Sequence, residues 1–290
     1  MPAALVISII TAAVFAGAIA WAALWFILLI AGWVRFKGAF PDGAQNAAGG
    51  MARRELRRLE RELAVLAAAA SAAFGAAALL LLYGVARFTD IWLWLLFGLG
   101  LALVVAWSVF LVRQLLRWRE ARFAARAQAA FAASLARLNL QGLRVFHDVT
   151  LGDLTLDHVV LGLRGLFAIR VVARRPRRGA ETVVRINGRS IEFQDGFALL
   201  DTLSLTERAA RALADMQVKG LSHRPHVLPV VAVPGWEIAP PQGAAGETFL
   251  ANEKTAMLLT QATKPADYLM EADVALLQEQ LTKLSKDTAL

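Results

Sequence analysis

Residues 156–173 read LDHVVLGLRGLFAIRVVA. Two apolar runs, 156–161 and 166–173, flank Gly162-Leu163-Arg164-Gly165, and a short glycine-bounded joint between runs rich in Val, Ile and Leu is a β-hairpin signal. Working outward, 143–149 reads as a strand before it, and 183–186 with 190–193 around Asn187-Gly188 reads as a second hairpin. Residues 199–217 are helical by composition, and 227–233 is an apolar strand closed by Pro234-Gly235. Residues 253–262 and 272–286 read as helices. The order helix, several strands, helix, strand, helix defines an α/β layered domain. A chain of 290 residues leaves room for one such domain of about 150–180 residues beside a second region.

That second region lies upstream. Three stretches, 3–34, 63–86 and 91–112, hold no Asp, Glu, Lys, Arg or His. About 20 apolar residues cross a hydrocarbon core of ~30 Å as a helix, so the composition predicts three spanning helices, the alanine-rich middle one being the weakest. The connection 35–62 carries seven basic residues, the connection 87–90 only Arg87, and five arginines follow the third stretch at 113, 117, 119, 122 and 126. The positive-inside rule then predicts a multi-pass protein of the cell (cytoplasmic) membrane with its N-terminus outside and its C-terminal domain in the cytoplasm. The expected organisation is a membrane region 1–112, a connecting helix 113–138 and a cytoplasmic α/β domain 139–290. Trp33, Trp92, Trp94 and Trp118 read as interfacial anchors. Ionisable groups are missing from all three stretches, which argues against a transporter or channel.

Other classes fall on composition. Without cysteine there is neither a disulfide framework nor a thiolate metal site. The four histidines are scattered, and Pro225 breaks any helix that would align His223 with His226.

Three segments in order carry a resemblance: Val145-Phe146-His147-Asp148-Val149, Leu156-Asp157-His158-Val159-Val160 and Gly165-Leu166-Phe167-Ala168-Ile169. They resemble the successive core strands of the nuclease-related domain (NERD) family, a branch of the restriction-endonuclease-like PD-(D/E)xK fold. The likeness runs from about 124 to 217 and through 228–233. It implies a mixed sheet flanked by helices and metal-dependent hydrolysis of nucleic acid, in which carboxylates hold magnesium at the scissile phosphate and a lysine assists. Asp157 matches the family's aspartate. The family's Glu-x-Lys is matched by Arg170-Val171-Val172, and its helical Gly-Glu by Ala127-Gln128. A guanidinium beside Asp157 opposes a dication, since unit charges ~4 Å apart interact by several kcal/mol even at a surface-like dielectric. The expectation is that Asp157 forms an ion pair with Arg170 across adjacent strands, that no metal cofactor is held, and that Mg2+ enters only if a relocated acid such as Asp153, Glu181 or Glu192 rebuilds the site.

Charge is distributed unevenly. Residues 113–189 hold fifteen arginines and five acidic residues, a net +10, whereas 190–290 is net −5. Arg174, Arg175, Arg177 and Arg178 crowd one loop, followed by Arg185 and Arg189, a distribution suited to phosphate contacts, or equally to a face on anionic lipid. The sequence thus predicts a membrane-anchored, nuclease-like domain without hydrolytic activity that binds DNA or RNA or acts as a scaffold. Its alternatives are an active metal-dependent nuclease with a rearranged site and a structural membrane protein that binds only protein or lipid.

Overall fold

The computed structural model describes residues 53–63, 65–66, 69, 90–138, 142–176, 181–239, 248–261, 264 and 267–287. They fall into two compact units, one within 55–121 and the other made of 53–54 and the described residues from 122 onward.

In the first unit, residues 55–63 are helical, with an Arg58–Glu62 pair at 2.9 Å on the exposed side. The unit also holds the first part of α1 (Asp90–Ala136), a 47-residue helix. Among the described residues no helix is long and apolar enough to cross a membrane. This overturns the expected set of three spanning helices, and with it the multi-pass membrane location and topology. Of the three stretches, 3–34 lies outside the described residues, as does all of 63–86 except residues 63, 65, 66 and 69. The third, 91–112, is not an element of its own. It is one end of a helix that runs on without a break through Arg113, Arg117, Arg119, Glu120, Arg122 and Arg126 to Ala136. Freedom from charge over some twenty residues is a property of composition, and a long helix can carry such a run without spanning anything. Trp118, read as an interfacial anchor, instead donates its indole N–H to Glu60 Oε1 at 3.4 Å.

The second unit is the α/β domain. Its main sheet has the order β1-β2-β3-β7-β9, with β1 Arg144–Leu151, β2 Leu154–Gly162, β3 Gly165–Val171, β7 Val227–Ala232 and β9 Phe249–Ala251. The first three strands are antiparallel neighbours, whereas β3, β7 and β9 run parallel. The quoted hairpin forms as read, with Gly162 paired to Gly165. Gly165 has φ 131°, a conformation that excludes a side chain. A second sheet, of order β6-β5-β4-β8, is built on the Asn187-Gly188 hairpin between β4 (Val183–Asn187) and β5 (Ser190–Phe193), with β6 Ala198–Leu199 and β8 Glu237–Ile238 at its edges.

The main sheet is covered on both faces. On one, Phe131 and Leu135 of α1 and Leu138 just past its end recur at helical spacing and bury against Val160, Phe167, Ile169 and Val230. On the other, Ala209 and Leu213 of α2 (Thr202–Ala214) and Leu277 and Leu281 of α3 (Glu271–Asp287) meet Val159, Leu161 and Leu166. A third cluster, around Trp236, Phe193 and Val231, joins the two sheets. The segment 253–262, expected as a helix, contains a 3-10 helix, Ala256–Gln261.

Candidate functional site

The pairing of β1 with β2 is interrupted at one point, and Asp157 sits there. Strands β1 and β2 pair His147 with His158 and Val149 with Leu156, but the pair between them, Asp148 and Asp157, is missing from the ladder. Asp148 has φ 52°, which is rare for a residue with a side chain. Side chains two apart along an unbroken strand share a face. Here Val145 and Val160 pack in the core under α1, whereas Val149 and Leu156 pack in the opposite core. The pleat therefore turns over at Asp148 and Asp157.

That turn delivers Asp157 to α1. Its Oδ1 accepts a hydrogen bond from Gln128 Nε2 at 2.8 Å, and its Oδ2 accepts one from the Val171 backbone N–H at 2.7 Å. The expected ion pair with Arg170 is replaced by these two bonds. The Arg170 guanidinium donates to the Thr155 carbonyl at 3.4 Å and acts on Asp157 only through its charge. Val172 turns toward the Trp236 cluster and donates its N–H to Ala232 O, so it does not join the site. Burial raises the Asp157 carboxyl from 3.8 to about 6; the Val171 N–H and Arg170 oppose the rise, and Asp148 adds to it.

Two histidines complete the cluster. His147 Nδ1 and His158 Nδ1 lie 2.8 Å apart, so one ring donates and the other accepts. His158 is fully buried, stacked on Phe131 with centroids 6.0 Å apart, and burial lowers its pKa from 6.5 to about 3, with the charge of His147 acting the same way. Burial also lowers His147. His158 Nε2 and Gln128 Oε1 are buried with no hydrogen-bond partner among the described residues. In chemical terms the site is one hydrogen-bonded carboxylate, a neutral histidine pair and a flanking guanidinium. Among the described residues no group of three or more His, Asp or Glu is arranged to hold a metal ion.

Sequence reading found Gln128 and Asp157 but missed Asp148, His147 and His158. A signal existed, because a turn at Gly152-Asp153 makes β1 and β2 a hairpin and places 148 opposite 157 and 147 opposite 158. None of the acids considered as replacements joins Asp157. Asp153 is exposed at the turn, Glu181 accepts from Gln194 at 2.6 Å, and Glu192 is held by Arg185 and Asn187.

Of the arginines expected to bind nucleic acid, Arg174 and Arg185 are each held by a carboxylate. Arg174 is 20% exposed, lies 3.8 Å from the Phe197 ring centroid and pairs at 2.6 Å with Asp195, whose side chain is fully buried. Its carbonyl accepts the Trp236 indole N–H at 2.8 Å. It fastens the second sheet and is not available as a phosphate contact. Arg185 is bound through Nε and Nη2 to Glu192. Arg175 and Arg189 are exposed, and Arg177 and Arg178 lie outside the described residues.

No family model, curated protein or solved structure matches this chain.

Proposed function

We propose that the α/β domain is a nuclease-like module that binds nucleic acid without cutting it. The observation that carries this reading is the state of Asp157: each of its oxygens already accepts a hydrogen bond from the protein, and the nearest charged side chain on β3 is a guanidinium. A catalytic magnesium site needs hard oxygen ligands that converge and are free to coordinate. The donor set at Asp157 fits that requirement poorly. The net +10 of residues 113–189 supports attraction to a phosphate backbone, whose binding is driven by counterion release.

A second reading has one observation in its favour. Asp148 lies close enough to raise the Asp157 carboxyl, so two acids share the break in the sheet, as a rebuilt hydrolytic site would require.

One experiment separates the readings. The full chain is titrated against fluorescent single- and double-stranded DNA and RNA 20-mers between 20 and 200 mM salt, and the products are then resolved after incubation with Mg2+ or Mn2+. Binding that weakens steeply with salt, with intact oligonucleotides, is the expected result. Absence of binding at 20 mM salt refutes the proposal. Cleavage that is lost in both Asp148→Ala and Asp157→Ala establishes the second reading instead.

A further inference from the structure

On the side of the domain away from Asp157, three arginines from three separate segments line one cleft of about 700 Å³. Arg189 comes from the turn between β4 and β5, Arg211 from the last turn of α2, and Arg224 from the loop before β7. The three sit on a turn, a helix and a loop rather than in one run of the chain, so the fold and not a local arginine cluster brings them together. Among the described residues Arg189 pairs with no carboxylate. Arg211 makes only a 3.4 Å bond to its own helix, at Glu207 O, and Arg224 pairs at 2.6 Å with Asp215, both side chains being more than half exposed. An exposed pair of that kind is weak and exchanges readily for a better anion.

The rest of the lining narrows the ligand. Ala210 and Pro229 give the cleft an apolar floor. Pro229 precedes residues 230–232, where β9 pairs with β7, so its missing N–H costs no bond to that strand. Glu207 adds a carboxylate to the wall, where it accepts the Thr248 hydroxyl at 3.1 Å. A continuous polyanionic strand would be repelled by that acid, whereas a small ligand can place a hydroxyl against it and its phosphates against the guanidinium groups. The volume lies within the usual range for small-molecule sites, and planar guanidinium forks suit phosphate oxygens.

We infer that this cleft binds a nucleoside di- or triphosphate, with Arg189, Arg211 and Arg224 on the phosphates, the apolar floor under the base and Glu207 at the sugar hydroxyls. The site is separate from the Asp157 cluster and does not depend on the function proposed above.

The test is isothermal titration of the full chain with ATP, ADP, AMP and inorganic pyrophosphate in metal-free buffer. ADP and ATP should bind, with AMP at least tenfold weaker. Arg211→Ala and Arg189→Ala should each weaken ADP binding about tenfold or more, while Arg185→Ala, whose partner is Glu192, leaves it unchanged. Unaltered thermal unfolding of the variants shows that they remain folded. If neither ADP nor ATP binds at millimolar concentration, or if both variants bind as the parent does, the inference is wrong. It is equally wrong if only a DNA or RNA oligonucleotide binds and the same variants weaken it, since the cleft then serves a strand.

Discussion

Acidification should destabilise an Asp157→Asn variant much more than the parent chain, because two buried groups one residue apart titrate with opposite consequences. His158 keeps its neutral form down to about pH 3 in the fold, whereas the unfolded chain protonates it below 6.5. The unfolded state therefore holds the extra proton between those values, and stability falls with pH by about 1.4 kcal/mol per unit. Asp157 does the reverse. Its folded carboxyl holds a proton up to about pH 6, the unfolded one only to 3.8, so stability rises as pH falls across that window at the same slope. From pH 6 to 4 the two terms cancel in the parent. In Asp157→Asn only the histidine term is left, and two pH units at that slope give a loss of roughly 3 kcal/mol. His147, lowered by burial, adds the same acid-side loss to both proteins and drops out of the comparison. Urea unfolding followed by circular dichroism at pH 7, 6, 5 and 4 measures this, provided the m-value is constant. His158→Phe keeps a ring against Phe131 and should lose less stability than the parent on acidification from pH 6 to 4. Parallel curves for parent and Asp157→Asn over that range would refute the reasoning.

Two further outcomes follow from packing and charge. Asp195→Ala leaves the Arg174 guanidinium enclosed by Phe193 and Phe197 without its carboxylate and should cost about 3 kcal/mol, whereas Glu192→Ala, at an exposed pair, should shift the unfolding midpoint much less; chemical denaturation of both variants compares them directly. Phe131→Ala empties a fully buried position between α1 and the sheet and should cost about 3–5 kcal/mol, read as a lower urea midpoint.

The α/β character was legible because its strands carry their own punctuation. Gly162 and Gly165 bound one hairpin and Asn187-Gly188 the other, and each pairs in the register that these residues specify. The edge strands β6, β8 and β9 were not legible. They are two or three residues long, too short for an alternating pattern, and their pairing is decided by what lies beside them. The membrane reading failed for a related reason: lack of charge was counted along the chain, and the helix that holds 91–112 extends well past it into a charged segment. At the site, side-chain identity singled out Gln128 and Asp157, but nothing in the sequence marked the break at Asp148 beside them. Period-2 reasoning assumes an unbroken pleat, and the positive φ at Asp148 is where that assumption ends.

Glutamine rather than glutamate at position 128 has an electrostatic logic. A glutamate there would bring a third carboxylate toward Asp148 and Asp157 in a largely buried setting, and three like charges in such a place call for a dication or for protonation. Gln128 supplies a neutral N–H donor to Asp157 at 2.8 Å, and Val171 supplies a second at 2.7 Å. These donors do for the carboxylate what a metal would, and they add no net charge. Arg170 is then tolerated on the next strand, where beside a bound dication it would be repelled. Gln128 and Arg170 act in the same direction: the amide removes the need for a cation, and the guanidinium makes a cation costly. Gln128→Glu or Arg170→Glu alone would leave the other residue opposing a metal, so creating metal affinity here would require changing Gln128 and Arg170 together.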